Sequence, residues 1–139
     1  MIQLIVGEKG KGKTKVLLDR VNEASSKANG NVVFLDKDSG HMYELKNAIR
    51  LINTSDYFIS SSEEFVGFVA GIISSDHDLE EIFIDRFLKV SFIQGTDIAT
   101  TLDKIDKITN QFHVKCTISM SLAKDALPDS LQEKVIVSL

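Results

Sequence analysis

One cysteine, one proline and three arginines stand in a chain of 139 residues. With Cys116 alone, no disulfide can form within the chain, and a reducing compartment is the simple reading. A single proline, Pro128, and the absence of low-complexity tracts leave no linker between units, and no internal repeat is present. No run approaches the roughly 18 apolar residues that a membrane span needs. The sequence opens on a strand pattern with no charged leader and no small-residue cleavage site, so a cytoplasmic protein that does not engage membranes is expected. A basic surplus is also missing: 16 Lys and Arg face 20 Asp and Glu, a net charge of −4, which speaks against a dedicated nucleic-acid binder. His41, His77 and His113 are scattered without the paired spacing of a metal site. No Ser-His-Asp or Cys-His arrangement offers itself for nucleophilic catalysis.

What is present is an ordinary globular composition, 43% hydrophobic and 26% charged. A chain of this length buries roughly 70% of the surface that its unfolded form exposes, enough for a core without staples. Residues 1–139 therefore read as one domain.

Continuous apolar runs ended by turn residues mark strands covered on both faces. IQLIV at 2–6 ends at Gly7, VVFLD at 32–36 ends at Asp36, and EIFID at 81–85 ends at Asp85. VKCTISM at 114–120 and KVIVSL at 134–139 complete the set. Between the first two, Val16, Leu17, Val21 and Ala24 share one helical face, and Asn29-Gly30 stops the helix. Ser61 or Ser62 caps a second helix running to about Ser75, with Glu63 and Glu64 in its first turn. Ile98, Leu102, Ile105, Ile108 and Phe112 step by four and three along a third, and Pro128 opens a short helical turn. Segment 41–53 reads as two short strands, 42–45 and 49–53, with a single helix over 42–51 as the rival. Alternating strands and helices predict a three-layer α/β fold around a mainly parallel sheet. Ligands in such sheets bind beyond the carboxyl ends of the strands. Gly7–Thr14, Asp36–Asp38, Asp85–Arg86 and Ser119–Ser121 all fall there.

The loop after the first strand reads GEKGKGKT. Gly7, Gly12, Lys13 and Thr14 fit G-x-x-x-x-G-K-[ST], the Walker A phosphate loop, with the required strand before and helix after. Glycines let successive backbone N–H groups turn inward and cradle phosphate oxygens, while the helix aims its positive end at the same anion. The candidate nucleotide-binding set is Gly7, Glu8, Lys9, Gly10, Lys11, Gly12, Lys13, Thr14 and Lys15, with the side chains of Glu8, Lys9 and Lys11 expected to face solvent. Lys13 is placed to reach the β- and γ-phosphates, and Thr14 to offer its hydroxyl to Mg²⁺. IFID at 82–85 fits the Walker B pattern, in which Asp85 holds the same Mg²⁺.

The order of these elements resembles the RecA-like (ASCE) branch of P-loop NTPases, in which one strand inserts between the Walker A and Walker B strands. The resemblance implies that a polar residue at the end of the inserted strand senses the γ-phosphate. Ser119 and Ser121 occupy that region, and Ser121 lies nearer the strand end. Many members carry a glutamate immediately after the Walker B aspartate to polarise the attacking water. Here that position is Arg86. Asp36 and Asp38 are the remaining candidate bases, with ribose contact and simple turn capping as their alternatives. Arg86 is a candidate for stabilising transition-state charge or for pairing with an acid.

MIQLIVGEKGKGKT, GNVVFLDKD, MYELKNAIRLIN, EEFVGFVAGI and IFIDRF together resemble a group of small P-loop proteins from Firmicutes, especially clostridia, nearly end to end. Members are often labelled ATP-binding or named after the twitching-motility ATPase. That ATPase is much longer and has acidic and histidine boxes that this chain lacks. The resemblance implies a Mg²⁺- and ATP-binding domain, with slow hydrolysis or a nucleotide switch as its activity. A small-molecule kinase and a nonenzymatic nucleotide-binding module within a larger assembly are the alternatives. With no N-K-x-D base-reading motif, ATP is the expected nucleotide. A homo-oligomer or protein partner is expected where an arginine has to be supplied from outside.

Overall fold

The computed structural model describes residues 1–93 and 98–139. Six strands form one sheet: β1 (Ile2–Gly7), β2 (Asn31–Asp36), β3 (Ile49–Asn53), β4 (Leu79–Ile84), β5 (Lys115–Ser121) and β6 (Val135–Ser138). Their spatial order is β3-β2-β4-β5-β1-β6, and every pairing is parallel. The expected mainly parallel sheet is thus wholly parallel. β5 lies between β1 and β4, the position expected of an inserted strand.

Period-two alternation sorts the strand side chains into two cores. Leu4, Val6, Val33, Leu35, Ile82, Ile84, Ile118 and Met120 pack with α2 (Ser62–Ser75) and α4 (Ile98–Gln111) on one face. Ile5, Val32, Phe34 and Phe83 pack with Leu17, Leu18 and Val21 of α1 (Lys13–Lys27) on the other. The result is helix, sheet, helix. Two single-turn helices, α3 (Phe87–Val90) and α5 (Asp129–Gln132), close the loops after β4 and before β6.

The Ser61 side chain accepts the Glu64 N–H at 3.1 Å, and Glu64 returns the favour at Ser60 N–H, 2.7 Å, so α2 starts in a reciprocal cap. Gly30 ends the α1–β2 connection for a steric reason. A Cβ there would lie 2.0 Å from the Asp78 carbonyl oxygen.

Two sequence expectations need correcting. Residues 42–45 are not a strand: Met42–Glu44 form a 3-10 turn. Tyr43 is 93% exposed, and its neighbours spend their backbone groups locally, Met42 N–H on Ser39 and Glu44 N–H on His41. Asn22 of α1 locks this turn by donating to the Glu44 carbonyl and accepting the Lys46 N–H. The apolar stripe of α4 also stops short, because the helix ends at Gln111 and Phe112 is left half exposed.

Candidate functional site

The sheet face that carries α1 also carries the site. Asp36, Asp85, Ser119 and Ser121 continue the alternation of Phe34, Phe83 and Thr117, so their side chains emerge on that face at the carboxyl ends. Register then makes them neighbours. Leu35 pairs with Ile84 and Ile84 with Ile118, which sets Asp36, Asp85 and Ser119 side by side. Gly7 pairs with Ser121, bringing the Gly7–Thr14 loop to the same end.

The loop turns through two left-handed glycines, Gly10 (φ 85°) and Gly12 (φ 93°), conformations that a side chain would penalise. Gly12 is the last residue before α1, whose first turn carries no acid. Lys13 is only 8% exposed, and its Nζ donates to the Glu8 carbonyl at 3.0 Å, across the loop it closes. Burial pushes its ammonium below the ordinary lysine value, and the nearby Asp85 carboxylate opposes that shift.

Asp85 is fully buried and holds the centre. Thr14 Oγ1 donates to its Oδ2 at 2.9 Å, and Ser119 Oγ donates to its Oδ1 at 2.5 Å. Its own N–H donates to Leu35 O. Ser119 in turn accepts the Arg86 N–H at 2.9 Å. Of the two serines, it is therefore buried Ser119 that touches the acid, while Ser121 is exposed.

Arg86 adopts the left-handed region (φ 51°, ψ 51°), which costs an L-residue roughly 1–2 kcal/mol. The turn folds its guanidinium back over β2. Nε and Nη2 donate to Asp36 Oδ1 at 3.0 and 2.6 Å, and Nη2 also reaches Asp38 Oδ2 at 3.2 Å. Asp36 Oδ1 accepts the Lys37 N–H as well, at 2.7 Å. Burial still pushes the Asp36 carboxyl above the ordinary range, with the Lys37 N–H and Arg86 acting against it. Asp38 moves the other way: the Gly40 N–H holds its carboxyl below the usual range, and Arg86 adds to this. Asp36 Oδ2 is the one buried side-chain oxygen or nitrogen among the described residues that meets no partner.

These groups border a cleft of about 550 Å³ lined by Lys9, Gly10, Gly12, Lys13, Thr14, Asp85, Arg86, Leu88, Lys89, Ser119 and Ser121. Its floor is acidic and its rim basic. Lys37 and Lys9 push the Lys89 ammonium below its usual value, a sign of crowded positive charge. Glu8, Lys11 and Lys15 are exposed and do not line the cleft, and neither do Gly7, Asp36 and Asp38. A further residue joins the group that sequence spacing passed over. A ring nitrogen of His41, a carboxylate oxygen of Asp36 and one of Asp85 all lie within 4.8 Å of one another. His41 comes from the turn after β2, and only the fold brings it to Asp85.

No family model and no curated protein matches the chain. Among the described residues, no helix is long and apolar enough to cross a membrane.

Proposed function

We propose that this chain is a P-loop domain that binds Mg²⁺-ATP and works as a nucleotide switch or a slow ATPase. The observation that carries the reading is the 2.9 Å bond from Thr14 to Asp85, residues 71 positions apart, in the lining of the glycine-bearing cleft. A hydroxyl and a buried carboxylate are hard oxygen donors of the kind that Mg²⁺ takes from protein beside phosphate. Thr14 and Asp85 would hold the ion, which neutralises charge on phosphate oxygens when bound. The backbone of the Gly7–Thr14 loop would cradle phosphate oxygens, and Lys13, which now donates to the Glu8 carbonyl, would turn to one of them. The strand order, with β5 between β1 and β4, supports the RecA-like branch, as does the resemblance of the sequence to small P-loop proteins of Firmicutes.

Slow turnover follows from the acids. Asp85 is the one carboxylate lining the cleft among the described residues, and Ser119 and Thr14 already occupy both of its oxygens. Asp36 and Asp38, the candidate bases, are engaged by Arg86. Neither of them lines the cleft. A kinase needs a lid over the acceptor. None of residues 37–62 lines the cleft, so the switch reading is the better supported.

The test is calorimetric titration with ATP, with and without Mg²⁺, followed by phosphate release in the same samples. Mg²⁺-dependent binding with little release is expected. Absence of binding by the folded protein overturns the reading. Rapid release overturns the slow-turnover part of it.

A further inference from the structure

We propose that His41, Asp36 and Asp85 form a binding site for one divalent transition-metal ion, of the class represented by Zn²⁺ and Co²⁺. The convergence of the three within 4.8 Å is the first observation. The second is independent of it: Asp36 Oδ2 is buried and unpartnered. A buried carboxylate oxygen with no donor costs free energy, and a cation supplies what the protein does not. The third concerns the histidine. His41 Nδ1 lies 3.1 Å from Glu44 Oε2, so the ring nitrogen that Glu44 does not hold is Nε2. A carboxylate on one ring nitrogen fixes the tautomer and orientation of a histidine whose other nitrogen binds metal.

Imidazole with two carboxylates selects Zn²⁺, Co²⁺ and similar ions over Mg²⁺, which prefers all-oxygen shells. An ion with bonds of about 2.0–2.2 Å holds its donors about 3.5 Å apart. His41 therefore closes on the acids by on the order of 1 Å when the ion enters. Its place at the start of an exposed turn, with 32% of the side chain accessible, allows that. Two consequences follow. Asp85 also lines the nucleotide cleft, so the ion and that cleft draw on one carboxylate. Asp36 takes the ion on Oδ2 while keeping Arg86 on Oδ1.

The assignment does not depend on nucleotide binding, and the experiment keeps the two apart. Co²⁺ is titrated into the nucleotide-free protein and followed by its visible absorption, with Zn²⁺ and Mg²⁺ as competitors. One Co²⁺ per chain is expected, displaced by Zn²⁺ and not by equimolar Mg²⁺. Glu44→Gln weakens Co²⁺ binding about tenfold, the low end for an outer partner, and His41→Ala weakens it further. Both positions are outside the core, so these variants fold. No saturable Co²⁺ site, or an unchanged affinity in His41→Ala, overturns the proposal. Displacement by equimolar Mg²⁺ overturns the class of ion. ATP binding measured in Mg²⁺ alone reports on the nucleotide reading separately.

Discussion

Arg86 and Asp36 are joined through a single oxygen: two guanidinium nitrogens converge on Asp36 Oδ1 at 3.0 and 2.6 Å, while Oδ2 is left bare. The acid is fully buried and the arginine about a quarter exposed, so the pair is lopsided. Removing the arginine strands a charge in the interior, whereas removing both charges together strands neither.

Arg86→Ala is expected to lower stability by about 2–4 kcal/mol, somewhat less than a fully buried pair costs to break, because the guanidinium keeps some water. Adding Asp36→Asn to that variant recovers part of the loss. Urea unfolding of the two single variants and the double variant measures this. Additive losses would mean that the pair is not coupled.

The two acids on Arg86 respond to pH with opposite sign. Asp36 has a folded pKa raised above the ordinary 3.8, so the folded state holds its proton more tightly than the unfolded state does. Stability from this group is highest below 3.8 and falls as pH rises toward the folded pKa. Asp38, with a depressed folded pKa, contributes above 3.8 and loses its contribution as pH falls through the folded value. Unfolding free energies taken from pH 3 to about 7 are therefore expected to favour Asp36→Asn over the parent increasingly with pH, before levelling off. Asp38→Asn shows the reverse trend, with smaller amplitude because half of its side chain is in water.

Asp85→Asn keeps the shape and removes the charge that Thr14 and Ser119 address. Mg²⁺-dependent ATP affinity is expected to fall roughly 10- to 100-fold, the worth of a charge-assisted contact, with a much smaller change in metal-free binding. Lys13→Ala is expected to abolish binding in both conditions and leave the circular dichroism unchanged. Equal losses with and without Mg²⁺ in Asp85→Asn would remove that residue from the metal.

Gly30→Ala tests the fold away from the cleft. The added methyl meets the Asp78 backbone carbonyl at 2.0 Å, an atom that no rotamer change can move aside, so a strand end has to move. A loss of about 2 kcal/mol or more is expected from the thermal midpoint. Gly67→Ala on α2, where a Cβ meets nothing within 4 Å, is the matched control. It is expected to be neutral or slightly stabilising.

Much of this arrangement was legible in the residues. Apolar runs ending at Gly7, Asp36 and Asp85 gave the strands, and counting in twos places Asp36, Asp85, Ser119 and Ser121 on one face. Counting in twos does not choose between the serines. That depends on register, and Ile84 pairing with Ile118 hands the contact to Ser119. The 42–45 stretch misled because a short run forms a strand only where a partner strand takes its backbone groups, and here the turn takes its own hydrogen bonds. Arg86 was legible as a partner for an acid, and the structure pairs it with Asp36 and Asp38, but its backbone geometry and the place of His41 were not. A left-handed backbone at an arginine leaves no trace in composition, and a histidine five residues past Asp36 reaches Asp85 only through tertiary folding.

The order of the strands also has a consequence in time. Of these six strands β1 is made before the others, yet its two partners are β5 and β6, which follow all the rest. Thr14 and Asp85 meet across a sheet that β5 has to enter before it is continuous. The glycine loop therefore emerges well before the sheet that sets an acid opposite it is continuous. Long-range parallel pairing of this kind is slow to form. Nascent or truncated chains that stop short of β5 lack the continuous sheet that sets Thr14 beside Asp85, so that contact forms in one late step rather than by degrees.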